Sequence, residues 1–229
     1  MTMTMQGHKP YRRPNINENY VQLTGTAIHM FRVPGTETVV LTLATSGGGN
    51  RSNYPKVTWY GELASEVEET VSIGDRVSVI ATVQTKRFER KGERPIYRQN
   101  LVGNGITPAL KKIESTFGLD VDQGEYVDDE NEIRLGGTAL HIFKVPDRDI
   151  VIITIRTFTN GHVNMPKVTL FGRSAEYALE NISEGDAVCA IGYAYTNRAE
   201  KSDGSREYYE GITCNSIALA PSEEEAMGG

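Results

Sequence analysis

Tyr54-Pro55-Lys56-Val57-Thr58-Trp59-Tyr60-Gly61 returns 111 positions later as Met165-Pro166-Lys167-Val168-Thr169-Leu170-Phe171-Gly172. Both copies read as strands. A strand turns successive side chains to opposite faces, so Tyr54, Lys56, Thr58 and Tyr60 share one face while Val57 and Trp59 share the other. One face is apolar enough for a core; the other carries rings, an ammonium and a hydroxyl. The second copy keeps the pattern with Met165, Lys167, Thr169 and Phe171, and loses one ring.

The repeat extends upstream. At an offset of 112, residues 23–45 match residues 135–157 at 11 of 23 places, among them Leu23, Gly25, His29, Phe31, Pro34, Val39 and Thr45. Duplication of a domain accounts for this, and the period is far too long for a solenoid. Within the first copy, β-branched runs flank Val33-Pro34-Gly35, the signature of a hairpin. Residues 46–53 form a Gly-rich loop holding Arg51, without the Gly-Lys-Ser/Thr ending of a phosphate-cradling loop.

Downstream, Leu63, Val67 and Val71 recur at four-residue spacing and predict a short helix over 62–72. Gly74-Asp75 then opens a long strand with Val77, Val79, Ala81 and Val83 toward the core and Thr82, Gln84, Lys86 and Phe88 on the opposite face. Lys86, Arg87, Arg90, Lys91 and Arg94 crowd around Phe88 before the chain returns through Arg98 as a last strand, a hairpin with a basic finger. Three strands, a helix and two strands in about 90 residues predict a five-stranded OB barrel. The expected architecture is all-β: two tandem OB barrels, each with one short helix between its third and fourth strands.

The expected boundaries are a flexible basic arm over 1–19, a first barrel over 20–107, a helix and acidic linker over 108–132, a second barrel over 133–220 and an acidic tail over 221–229. Thr107 and Pro108 suit the cap and first turn of the linker helix, followed by Leu110, Ile113 and Phe117. In the second copy, Ala175, Leu179 and Ile182 mark a helix over 174–183, and Thr196, Arg198 and Glu200 repeat Thr85, Arg87 and Glu89. Ala199 stands where Phe88 stands in the first copy. New rings appear at Tyr193, Tyr195, Tyr208 and Tyr209, suited either to stacking or to an interface.

The net charge of -6 is unevenly spread. Residues 1–112 hold 15 bases and nine acids, whereas residues 113–133 hold eight acids and no base. An acidic average therefore leaves room for a polyanionic partner on the first copy. Rings and cations on one strand face suit unpaired nucleotides, since rings stack on bases and ammonium groups meet phosphates. No apolar run of membrane-spanning length occurs, and the N-terminus lacks the order of a signal peptide, so a cytoplasmic location is expected. Cys189 and Cys214 lack metal-site spacing and read as idle thiols. His29 and His141 repeat without acidic or thiol partners, so no cofactor, metal or catalytic role is expected.

These residues resemble the bacterial-type single-stranded-DNA-binding proteins. The resemblance rests on Leu41-Thr42-Leu43-Ala44-Thr45-Ser46, the aromatic-x-basic strand ending Tyr60-Gly61, the helix opening Leu63-Ala64, and Thr85-Lys86-Arg87-Phe88 before a Gly turn. It covers nearly the whole first copy, and it implies a bacterial or virus-encoded protein. By motif position it implies base stacking at Tyr54, Tyr60 and Phe88, with Lys56 as the strand cation; Lys167, Phe171 and Arg198 are what the second copy keeps. Because the family works with four OB domains, two per chain imply a homodimer. Its acidic tails end in a hydrophobic tip that recruits replication and recombination proteins; here the acids Glu223, Glu224 and Glu225 are present and the tip is not. The other reading, an RNA- or protein-binding module with the second copy specialised for dimerisation or recruitment, stays open on sequence alone.

Overall fold

The computed structural model describes residues 17–47, 51–89, 96–111, 125–126, 128–200 and 206–220. In the first half, β1 (Asn19–Arg32) and β2 (Thr38–Ser46) form the expected hairpin, followed by the two-residue β3 (Ser52–Asn53) and by β4 (Lys56–Tyr60). Helix α1 (Gly61–Thr70) leads to the long hairpin of β5 (Arg76–Phe88) and β6 (Ile96–Pro108). Two short strands, β7 (Leu110–Lys111) and β8 (Glu125–Tyr126), pair with each other between the halves. The second half repeats the order with β9 (Glu130–Lys144), β10 (Ile150–Thr159), β11 (His162–Asn164), β12 (Lys167–Phe171), α2 (Gly172–Asn181), β13 (Ala187–Glu200) and β14 (Arg206–Leu219).

In each half the pairings close on themselves. β1 pairs with β2, β2 with β4, β4 in parallel with β6, β6 with β5, and β5 with β1. The ring β9, β10, β12, β14, β13 closes in the same way. Alternation decides which side chains fill each ring. Leu41, Leu43, Val57, Trp59 and Val79 are fully buried in the first, and Ile133, Leu135, Ile153, Ile155 and Leu170 in the second. Each such aliphatic side chain removed from water contributes about 1.5–3 kcal/mol.

The repeated glycine of the deciding stretch has a steric reason. Gly61 and Gly172 sit at φ of +59° and +51°, where the chain swings from strand into helix. A side chain there would strain the backbone. Of the residues whose spacing marked the helices, Val67, Val71, Ala175 and Ile182 are buried, joined by Ala64 and Ala178, whereas Leu63 and Leu179 are exposed.

The two rings join through β1 and β9, which pair antiparallel from Asn19 opposite Leu135 to Thr24 opposite Glu130. This register maps onto itself when the halves are exchanged: Leu23 faces Asn131 as Asn19 faces Leu135. The halves are therefore related by a local two-fold axis through this strand pair.

The linker departs from expectation. Thr107 and Pro108 continue β6, with Pro108 opposite Val77, and Leu110 and Lys111 are also extended. No helix starts at Thr107, because β5 continues to offer the strand a pairing edge to that point. The acidic stretch likewise ends earlier than expected, as Glu130 and Glu132 belong to β9. Ile113 and Phe117, the expected basic arm over most of its length and the acidic tail lie outside the described residues.

Candidate nucleic-acid interface

Alternation along Tyr54 to Tyr60 holds. Pro55, Val57 and Trp59 are buried, while Tyr54, Lys56 and Tyr60 are exposed and Thr58 is half-buried. Neighbouring strands extend this outer face. On β2, Thr38, Val40 and Thr42 stand opposite Tyr60, Thr58 and Lys56. Beyond them on β1, Phe31 and His29 stand opposite Val40 and Thr42, with their ring centroids 5.5 Å apart.

The basic hairpin flanks this face. Lys86 Nζ lies 5.0 Å from the centre of the Tyr60 ring and donates to the Tyr60 hydroxyl at 3.2 Å. Lys86 is in register with Arg98 across the hairpin, and the Arg98 guanidinium lies 5.5 Å from the centre of the Phe88 ring. Tyr60, Lys86, Arg98 and Phe88 thus form one row in which two cations stand between two rings. A cation over an aromatic face is attracted by the ring quadrupole, which holds both side chains in place. Tyr60 and Phe88 remain 38% and 44% exposed despite these cations. Ring surface is left for a base, and two positive charges stand beside it.

The other sequence candidates are less uniform. Tyr54 is 46% exposed, and its backbone N–H donates to Thr196 Oγ1 of the second half. Arg51 is exposed in the loop before β3, and Arg87 is exposed and paired with Glu89 at 3.1 Å. Arg90, Lys91 and Arg94 lie outside the described residues. Arg198 belongs to β13, opposite Tyr208, but its side chain is likewise outside them. Lys56 is ion-paired with Glu210 of the second half at 2.6 Å. The pair lies in a groove of about 830 Å³ between the halves, lined also by Ile28, His29, Thr42, Tyr54, Thr196 and Asn197.

The second half presents an equivalent face. Lys167 and Phe171 point outward from β12, with Phe171 47% exposed. Across β10, His141 and Phe143 of β9 occupy the places of His29 and Phe31, and Phe143 is 56% exposed. β10 runs on past Thr157 to Phe158, also exposed, paired with Val163 of β11. Phe31, Phe143 and Phe158 were not among the binding candidates read from the sequence. The first two had a signal, a repeated His-x-Phe on alternating positions; Phe158 had none, since Ser46 fills its place in the first copy. Of the new rings, Tyr193 and Tyr195 are half-buried and Tyr209 is exposed.

Against the sequence reading, His141 has an acidic neighbour, its Nδ1 lying 3.7 Å from Glu184 Oε1. His29 and His141 are exposed strand residues, and among the described residues no group of three or more His, Cys, Asp or Glu could hold a metal. Burial pushes the Cys189 thiol up from its ordinary range and the Cys214 thiol up to about 12, so both stay protonated at neutral pH.

The sequence matches no family model and no curated protein. Its structure is similar to the wild-type single-stranded DNA binding protein from Thermus aquaticus, with a TM-score of 0.62, 19% identity, and coverage of 94% of this chain and 98% of that one. A deletion mutant of the same Thermus aquaticus protein gives a TM-score of 0.62 at 18% identity, covering 90% of this chain and 96% of that one. The chain therefore has the fold of these proteins along nearly its whole length.

Proposed function

We propose that this protein binds single-stranded DNA without catalysing a reaction, through two tandem OB barrels that stack bases on rings and meet phosphates with Lys and Arg. The carrying observation is the exposed row Tyr60, Lys86, Arg98 and Phe88, in which every ring has a cation beside it. Such a row suits an unpaired strand, whose bases are free to turn toward aromatic faces; a duplex keeps its bases stacked on one another. The fold shared with the Thermus aquaticus proteins supports the same reading. Protection of unpaired DNA in replication, repair or recombination would follow.

Lys167, Phe171, Phe143 and Phe158 would give the second half a face of its own. Two chains would complete a set of four barrels. Ile80 and Ile191, exposed at equivalent places on the outer side of the sheet that crosses β1 and β9, support a homodimer through that side.

Fluorescence anisotropy of labelled dT oligomers against matched duplex and poly-U, over a range of salt, tests the proposal. Preference for the single DNA strand with a log-log salt slope of about -0.7 per phosphate neutralised supports it. Equal binding of duplex, or preference for RNA, overturns it.

A further inference from the structure

Lys56 and Lys167 hold the same place on equivalent strands, yet they meet different neighbours. Lys56 Nζ is 2.6 Å from Glu210 Oε1, a carboxylate that the second half projects onto the first half's face. At Lys167 the reciprocal residue is Gln99. Its amide accepts from the Lys167 backbone N–H at 2.9 Å and donates to the Lys167 carbonyl at 3.4 Å. Among the described residues no carboxylate pairs with the Lys167 ammonium.

A carboxylate and a phosphate compete for one ammonium, because both are anionic acceptors and they repel each other at contact distance. From this asymmetry, and resting on the single-strand reading above, we propose that Glu210 is an internal competitor for the phosphate that Lys56 would take. The first half's strand cation is then engaged only once Glu210 is displaced, whereas Lys167 is available at once. The side chains of the pair are 47% and 39% exposed. An exposed pair of this kind is weak, so its displacement lowers affinity by up to about fivefold. Glu210 is a gate that a bound strand can open. Displacing a carboxylate also releases no counterion, so wild-type Lys56 adds less to the salt dependence than an unpaired lysine would.

The full chain and its Glu210→Gln, Lys56→Ala and Glu210→Gln/Lys56→Ala variants are compared by anisotropy on dT oligomers across a salt series. Glu210→Gln should bind up to about fivefold tighter at low salt, with a log-log slope steeper by about 0.7. Adding Lys56→Ala should abolish both changes. A Gln99→Glu variant should do the reverse and weaken binding at the second face. Wild-type binding together with unchanged affinity and slope in Glu210→Gln overturns the inference and leaves the single-strand reading standing. A gain that survives Lys56→Ala also overturns it, since loss of an acid anywhere nearby would then suffice. Failure of the wild type to bind dT overturns both.

Discussion

Asn19 and Asn131 make the same two-bond clasp from equivalent places in the two halves. The Asn19 amide donates to the Val83 carbonyl and accepts from the Val83 N–H, both at 2.8 Å. Asn131 does the same to Ala194, at 2.8 Å and 2.9 Å. Each clasp extends a strand pairing past the point where backbone bonding ends: β1 stays in register with β5 only to Val21 opposite Ala81. A side-chain amide imitates the next residue of the ladder.

Truncating either clasp leaves a buried backbone donor and acceptor without partners. Asn19→Ala and Asn131→Ala should each cost about 1–3 kcal/mol. Urea unfolding followed by the emission of the single Trp59 measures the loss, and unchanged midpoints would contradict it.

Loss of a ring from the row on the first face should weaken binding without touching the core. Tyr60→Ala and Phe88→Ala should each reduce affinity for dT oligomers about tenfold, the worth of one stacked base. Tyr60→Phe keeps the ring and loses only the Lys86 hydrogen bond, so its affinity should stay near wild type. Circular dichroism should be unaltered in all three.

The cations between those rings should be visible in salt dependence. Lys86→Ala and Arg98→Ala should each make the log-log slope shallower by about 0.7, one phosphate contact on a single strand. A fall in affinity with no change in slope would mean that these residues only hold the rings.

Gly103 lies under the indole of Trp59, where an added Cβ would come within 2.4 Å of the ring. Gly103→Ala should therefore destabilise the first half by about 1–3 kcal/mol through overpacking. Urea unfolding together with a shift in Trp59 emission tests this. Gly105, with open space around it, serves as the control.

Burial holds the Cys214 thiol at about 12 against a reference of 9.0. Between those values the unfolded chain loses this proton while the native chain keeps it. The native state binds more protons there, so stability falls as pH rises. Cys214 contributes in full below pH 9 and loses that contribution toward pH 12. Cys214→Ala should flatten this alkaline fall, read from urea midpoints between pH 8 and 11.

The strand pattern was legible because alternation is local. Val57 and Trp59 declared themselves core by parity alone, as did Val77, Val79, Ala81 and Val83. The helices were less readable. Periodicity placed Val67, Val71, Ala175 and Ile182 on the buried side, but it chose Leu63 and Leu179 where their neighbours Ala64 and Ala178 are the buried ones. Thr107-Pro108 carried the local chemistry of a helix start, and the pairing edge of β5 outweighed it. The Lys56–Glu210 contact had no sequence signal at all. It joins residues 154 positions apart and depends on how the second half's hairpin lies across the first half's face.

The symmetric seam between β1 and β9 lets one polypeptide play both members of a pair. In an assembly of identical subunits, every substitution would appear twice and each face would be copied faithfully. Covalent fusion removes that obligation while the seam keeps the halves aligned. Glu210 could then diverge from Gln99, and Ala199 from Phe88, so that the two faces became specialised within a shared frame.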